Sequence, residues 1–304
     1  MKTLTDMLHS EFVKMHAKFR TINIIHLKEL QEEINEWKHN GLITENFFKQ
    51  NYGEFTFHPP TTLPNACSII TIGIPQKITP VNFFHNGERY QTVIPPTYIY
   101  YKVKATCKEI LSNILEKKGY SVDYALLPLK LLAVKSGLAE YGKNNICYIN
   151  GMGSFTRLQA FYTDYEFPTD YWYEKQIMKS CTTCSLCQKV CPTQCIPKER
   201  FLIHADHCLT YLNENEGAFP LWVNAQSHNA LVGCMHCQIV CPQNKKFLQL
   251  HEQNIDLSED EISVILKKTP REYIPPTLAK KLANLNLNEY YSLLGRNLSV
   301  LMNK

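Results

Sequence analysis

Cys181-Thr-Thr-Cys184-Ser-Leu-Cys187-Gln-Lys-Val-Cys191-Pro192 and Cys234-Met-His-Cys237-Gln-Ile-Val-Cys241-Pro242, with Cys208 between them, decide how this chain is read. The first run has the spacing C-x2-C-x2-C-x3-C-P of a turn that wraps an iron–sulfur cube. Three cysteines two apart turn their thiolates inward onto one face of a [4Fe–4S] cluster. The fourth, followed by proline, leaves that turn and reaches a second cluster. The ligand sets are therefore expected to cross. The first cluster takes Cys181, Cys184, Cys187 and Cys241, and the second takes Cys191, Cys208, Cys234 and Cys237. The second run lacks a leading cysteine just before Cys234, so Cys208 supplies that ligand from far upstream.

Zinc is the competing reading, because zinc ribbons also use C-x2-C pairs. They take four ligands per metal, and two runs that each close on Cys-Pro fit them poorly. Cys67, Cys107, Cys147 and Cys195 fall outside the pattern and read as small buried hydrophobes. His204, His207, His228 and His236 lie near the cysteines, but eight thiolates already complete two cubes. Surface or supporting roles are expected for these histidines.

A chain of 304 residues has room for about two domains and a sizeable core. The fold expected is a layered α/β or α+β domain over 1–175, a bacterial ferredoxin-like two-cluster domain over 176–250 and a short helical extension over 251–304. Twelve cysteines raise the question of disulfides. The start, Met1-Lys-Thr-Leu-Thr-Asp-Met, lacks the apolar core of an export signal, so a reducing, cytoplasmic location is expected. No apolar run approaches a membrane span, and no membrane partner is expected. The formal charge of +4 falls toward zero once two clusters each bring about −2, so charge argues little for nucleic acid. Neither a Gly-x-Gly-x-x-Gly nor a Walker sequence is present, which leaves no case for a nicotinamide or ATP site.

The first 40 residues read as helical, with Leu27, Leu30, Ile34 and Trp37 on one face and Gly41 as the stop. Cys67-Ser-Ile-Ile-Thr-Ile-Gly-Ile-Pro75 reads as a buried strand, and 76–97 as a long functional loop. A helix over Ala105–Lys118 ends at Gly119, and another runs near Leu127–Ser136 with Pro128 in its first turn. Ile146–Ile149 and Leu158–Asp164 are strand candidates. Tyr165, Phe167, Tyr171, Trp172 and Tyr173 bridge toward the cysteines and read as packing before a nucleoside-stacking platform. Ser258-Glu-Asp-Glu261 has the form of a capping box, and Pro275-Pro276 precedes the last helices.

The order of these parts resembles the epoxyqueuosine reductase family, cobalamin and iron–sulfur enzymes that act on a modified wobble nucleoside of tRNA. The residues that carry the resemblance are Asp123, fourteen before Gly137, then Gly137-Leu-Ala-Glu-Tyr-Gly-Lys-Asn-Asn145, Gly153-Ser154, Cys208-Leu-Thr-Tyr-Leu and Gly233-Cys234. It covers roughly residues 60–245. Three features depart from the family pattern. Its Gly-Trp pair is Ala139-Glu140 here. Its Asp-Tyr-His motif, expected near Tyr98–Val103, is replaced by Tyr-Ile-Tyr-Tyr-Lys-Val. Its C-terminal helical repeats, which help hold tRNA, are represented by only about 55 residues.

The resemblance implies a reductase in which two [4Fe–4S] clusters pass single electrons to a base-off cobalamin that reduces an epoxide-type substrate. It also implies a low-potential donor of ferredoxin or flavodoxin type and, as a partner, tRNA. Asp123 is the implied proton donor, for which a raised pKa is needed. By its own position, just before a helical stretch, it reads equally as a helix cap. Gly137, Tyr141, Gly142, Lys143, Asn144, Gly153 and Ser154 are the implied cofactor contacts. As plain sequence, Gly137 is a helix C-cap, Gly153-Ser154 a hairpin turn and Lys143 a solvated charge. An electron-transfer protein that serves a corrinoid or a partner enzyme, with no substrate of its own, is the alternative reading.

Overall fold

The computed structural model describes residues 2–98 and 102–303. Thr3 caps the first helix, α1 (Leu4–Lys14), reciprocally with Asp6. His16, in the left-handed region at φ +53°, then turns the chain into β1 (Lys18–Asn23). This strand interrupts what reads in the sequence as continuous helix. It is short, and only Thr21 and Ile22 are buried, so its alternation is faint. In α2 (Leu27–His39) the four residues expected on one face are the four buried ones, and Gly41 ends the turn at φ +65°. After α3 (Glu45–Asn51) comes β2 (Ser68–Pro75), buried along its first seven residues.

Residues 76–97 are not a loop. They form a hairpin of β3 (Thr79–His85) and β4 (Glu88–Ile94), turned by Asn86 and Gly87, both at positive φ. An Asn-Gly pair between two apolar runs is a strong local hairpin signal. The polar residues around it and Pro80 masked the strands.

The chain continues through α4 (Val103–Leu115), which ends in a short 3-10 turn and Gly119 at φ +86°, as expected. β5 (Val122–Tyr124), α5 (Leu129–Lys135, with Pro128 at its cap), the two-residue strands β6 (Glu140–Tyr141) and β7 (Cys147–Tyr148), and β8 (Thr156–Thr163) follow. Beyond them lie α6 (Leu186–Val190), α7 (Leu209–Glu214), α8 (His236–Ile239), β9 (Ile255–Leu257), α9 (Glu259–Leu266), α10 (Pro276–Asn284) and α11 (Tyr291–Met302). The capping box at Ser258 and Glu261 is formed.

Compactness divides the chain otherwise than into the three consecutive stretches expected. One unit holds residues 1–75 and 102–184, and a second holds 76–101 and 185–304. The first is built on a sheet of order β1-β2-β8-β5, every neighbour antiparallel. Strand side chains alternate between faces. Ile70, Ile72 and Ile74 of β2 meet Leu8 and Phe12 of α1 and Cys107 and Leu111 of α4 in one core. On the opposite face the backbone of β2 comes so close to Ile149 that a Cβ on Gly73 would lie 2.1 Å from its Cδ1.

The second unit has a sheet of order β4-β3-β9, with β3 and β9 parallel. Its core gathers Val81, Phe83 and Ile94 with Leu257, Ile262, Leu282, Leu294 and Leu298, all buried. The cysteine-bearing stretch packs on that core through Leu231 and Val232.

Candidate functional site

The second expected cluster lies wholly within the second unit. Short helices α6 and α8 pack together and carry Cys187 and Cys237. Cys191 ends α6, and the turn after it is closed by the Gln194 N–H to the Cys191 carbonyl at 3.1 Å. Gln194 adopts φ +49°, which swings the next residue back. Cys195 Sγ thereby comes to 3.5 Å from Cys191 Sγ. Cys208 is the cap residue of α7.

Thiolates, not thiols, ligate iron. The Cys195 thiol, followed by that of Thr193, holds Cys191 down to about 5. Cys195 likewise draws Cys208 down to about 7, against the cost of burial. Burial pushes Cys234 up to about 12, and the nearby charges of Cys208 and Cys191 add to this. Cys191, Cys208 and Cys234 are free, half-buried thiols, a donor type that suits a cluster whose iron replaces the protons. Among the described residues no three His, Cys, Asp or Glu side chains are placed to share a single metal ion.

Cys181 and Cys184 sit at the end of the first unit, with Cys181 N–H bonded to the Met178 carbonyl at 2.9 Å. The Tyr141–Ile146 turn supports this stretch. Tyr141 donates its N–H to Gln176 and accepts that of Met178, at 2.8 and 2.9 Å. Lys143 Nζ donates to the carbonyls of Cys184 and Thr182 at 3.0 and 3.2 Å. Lys143 thus braces the first cysteine turn, a contact that neither the cofactor reading nor the solvated reading anticipated.

The other implied cofactor contacts are likewise engaged inside the first unit. Asn144 is buried, donates to Tyr148 Oη at 3.0 Å and accepts the Ile146 N–H at 3.3 Å. A Cβ on Gly142 would stand 2.5 Å from Asn144 Oδ1 and 2.7 Å from the Tyr148 ring. Gly137, at φ +66°, ends α5 with Tyr173 stacked where its Cβ would be. Gly153 pairs with Ile149 at a tight turn, and Ser154 is buried. Each of these residues thus has a structural role within the first unit.

Asp123 lies on β5, six residues before α5, and is not a helix cap. Its Oδ2 accepts from Thr62 Oγ1, its Oδ1 accepts from the Tyr124 N–H at 2.7 Å, and Lys108 Nζ stands 3.7 Å away. Thr62 first, then Tyr124 and Lys108, hold the carboxyl below the ordinary aspartate value. The expected raised pKa is therefore corrected: in this arrangement Asp123 is a carboxylate. A cavity of about 600 Å³ in the same unit lies elsewhere, lined by His9, His16, Lys18, Arg20 and Tyr171. It opens at the Pro75–Thr156 end of strands β2 and β8, whereas Asp123 pairs with Tyr162 near the other end.

The aromatic stretch packs. Trp172 stacks on His26 with centroids 4.3 Å apart and donates to Glu29 at 2.7 Å. Glu29 also receives the buried Lys135 at 2.6 Å, and burial of that lysine is more than offset by Glu29 and Glu33. Of the histidines, His228 is buried edge-on against Phe219, and His236 bonds the Ser227 carbonyl at 2.8 Å. Ile99, Tyr100 and Tyr101, within the stretch that replaces the Asp-Tyr-His motif, lie outside the described residues.

These arrangements define an iron–sulfur protein on an α+β scaffold: residues 180–244 match the 4Fe-4S double cluster binding domain. The chain is also similar to epoxyqueuosine reductases. That of Xanthomonas campestris is 27% identical over 73% of this chain, and the match spans 64% of its own length. An epoxyqueuosine reductase solved with an epoxyqueuosine-modified tRNA-Tyr stem loop shares the fold over 98% of this chain and 80% of its own, at a TM-score of 0.70 and 18% identity. One from Bacillus subtilis, solved with its catalytic aspartate loop swung out of the active site, has a TM-score of 0.66 at 19% identity, covering 98% and 81%. No helix among the described residues is long and apolar enough to cross a membrane.

Proposed function

We propose that this protein is an iron–sulfur reductase of an epoxide-type substrate, epoxyqueuosine in tRNA or another. The observation that carries the reading is one chain joining a double cluster domain to the fold of solved epoxyqueuosine reductases. Opening an epoxide to an alkene and water takes two electrons and two protons. The clusters, ligated as the spacing dictates, pass electrons singly from a low-potential donor of ferredoxin or flavodoxin type. Cobalamin enters by the family resemblance alone; when bound it would supply reduced cobalt as the immediate reductant.

Asp123 gives a proton to the departing oxygen. To do so it must leave Thr62 and take up a proton, because each of its present partners favours the charged form. In the Bacillus subtilis relative the corresponding kind of loop has been seen swung out, and a similar release would free Asp123.

The test is anaerobic turnover of epoxyqueuosine-modified tRNA by the reconstituted, reduced protein, with and without cobalamin, read as queuosine by nucleoside analysis. Product from the wild type and a loss of about 100-fold or more in Asp123→Asn support the proposal. Full cluster reduction with no product on any epoxide offered moves the assignment to an electron-transfer protein. That second reading is the one an Asp123 held as carboxylate favours.

A further inference from the structure

Cys195 stands outside the ligand pattern, yet it is among the most buried thiols, 3% exposed. Three features place its sulfur. The Cys191–Gln194 turn folds it back, the left-handed Gln194 fixes the angle, and the Cys195 carbonyl accepts the His204 N–H at 2.8 Å. The thiol is thus held by backbone on both sides. Its sulfur lies 3.5 Å from that of Cys191, within hydrogen-bond reach.

Cys191 is an expected ligand of the second cluster. An S–H group is a weak donor, and ligand sulfurs are acceptors whose negative charge grows when the cluster is reduced.

The geometry points to Cys195 as a positioning residue for the second cluster, its thiol hydrogen directed at the Cys191 sulfur so that the reduced cluster is favoured. This rests on the assignment of Cys191 and Cys208 to that cluster. A hydrogen bond donated to a ligand sulfur stabilises the more negative state more than the less negative one, and so raises the potential. Loss of one such bond, at about 1 kcal/mol, corresponds to about fivefold in the reduced-to-oxidised ratio at a fixed ambient potential.

The test uses the full chain loaded with iron and sulfide, as wild type, Cys195→Ala and Cys195→Ser. Iron content is measured first. Each cluster is then followed by its EPR signal through a potentiometric titration. The expected result is full iron in all three proteins. In Cys195→Ala the reduced-to-oxidised ratio of one cluster falls about fivefold at fixed potential while the other cluster is unmoved. Cys195→Ser, which keeps an O–H donor, recovers part of that loss; a merely space-filling residue would show no such rescue. Unchanged titrations in Cys195→Ala overturn the proposal, and so does an equal shift in the alanine and serine variants. Loss of about half the iron from Cys195→Ala overturns it too, by making Cys195 a ligand. The underlying ligand assignment fails separately if Cys191→Ala and Cys208→Ala both retain full iron.

Discussion

At the scale of single residues, two carboxyls are driven in opposite directions. Asp123 is held low by Thr62, so Thr62→Val is expected to raise its pKa toward the ordinary aspartate value. More of the acid is then present at any given pH. The alkaline limb of kcat/KM should move to higher pH, read in a pH–rate profile.

Glu214 goes the other way: burial pushes it up to about 7 from 4.5, although Tyr98 donates to it. The folded state then binds a proton that the unfolded state has released. This stability is fully present below about pH 4.5 and is lost as pH rises toward 7, a difference of about 3 kcal/mol. Glu214→Gln should flatten that dependence, with a Tm gap over the wild type that opens between pH 5 and 7.

The double-cluster stretch was legible because spacing alone reports a cube-wrapping turn, and residues 180–244 match that domain. Cys195 was not, since what distinguishes it from Cys107 in the core is a neighbour thirteen residues downstream, at Cys208. The contacts of Lys143 were not legible: its carbonyl partners at Thr182 and Cys184 come from a segment about 40 residues away, and no local pattern announces them.

At the scale of elements, helices were legible where their apolar period was long and their ends were marked. Such are α2, with Gly41 after it, and α9, with Ser258 and Glu261 before it. β1 was missed because six residues with two buried side chains carry too short a period. The β3–β4 hairpin was missed because its prolines outweighed Asn86-Gly87. The β6–β7 turn offers a direct check. Gly142→Ala would drive a Cβ into Asn144 and Tyr148, so a loss of about 1–3 kcal/mol is expected in thermal unfolding. A glycine kept only for cofactor access would show unchanged stability. Ser258→Ala should cost about 1 kcal/mol by the same measurement, since Glu261 loses its reciprocal partner.

At the scale of the whole chain, the second unit has two unlike halves. One is the apolar core of β3, β4, β9 and α9–α11; the other is the cysteine-bearing stretch, where helices are four to six residues long. Iron removal under anaerobic chelation should therefore loosen residues 185–244 and spare the core. Amide exchange would show it as lost protection confined to that stretch, and cooperative unfolding of the remainder should persist. Loss of protection in β3 and α11 as well would mean that the clusters hold the whole unit. The interleaving of the units was not legible at all: consecutive domains are the natural reading of a sequence, and only a strand pairing reveals that 76–101 belongs with the C-terminal half.

That pairing also sets an order of events on the ribosome. Val81 and Phe83 of β3 face Ile255 and Leu257 of β9 across more than 170 residues. The hairpin emerges early and waits, its Val81, Phe83 and Ile94 uncovered, until β9 and α9–α11 are made. Cluster assembly on Cys191 and Cys208 would begin beside a core that does not yet exist. A stop codon placed after residue 250 would strand the hairpin rather than trim a tail.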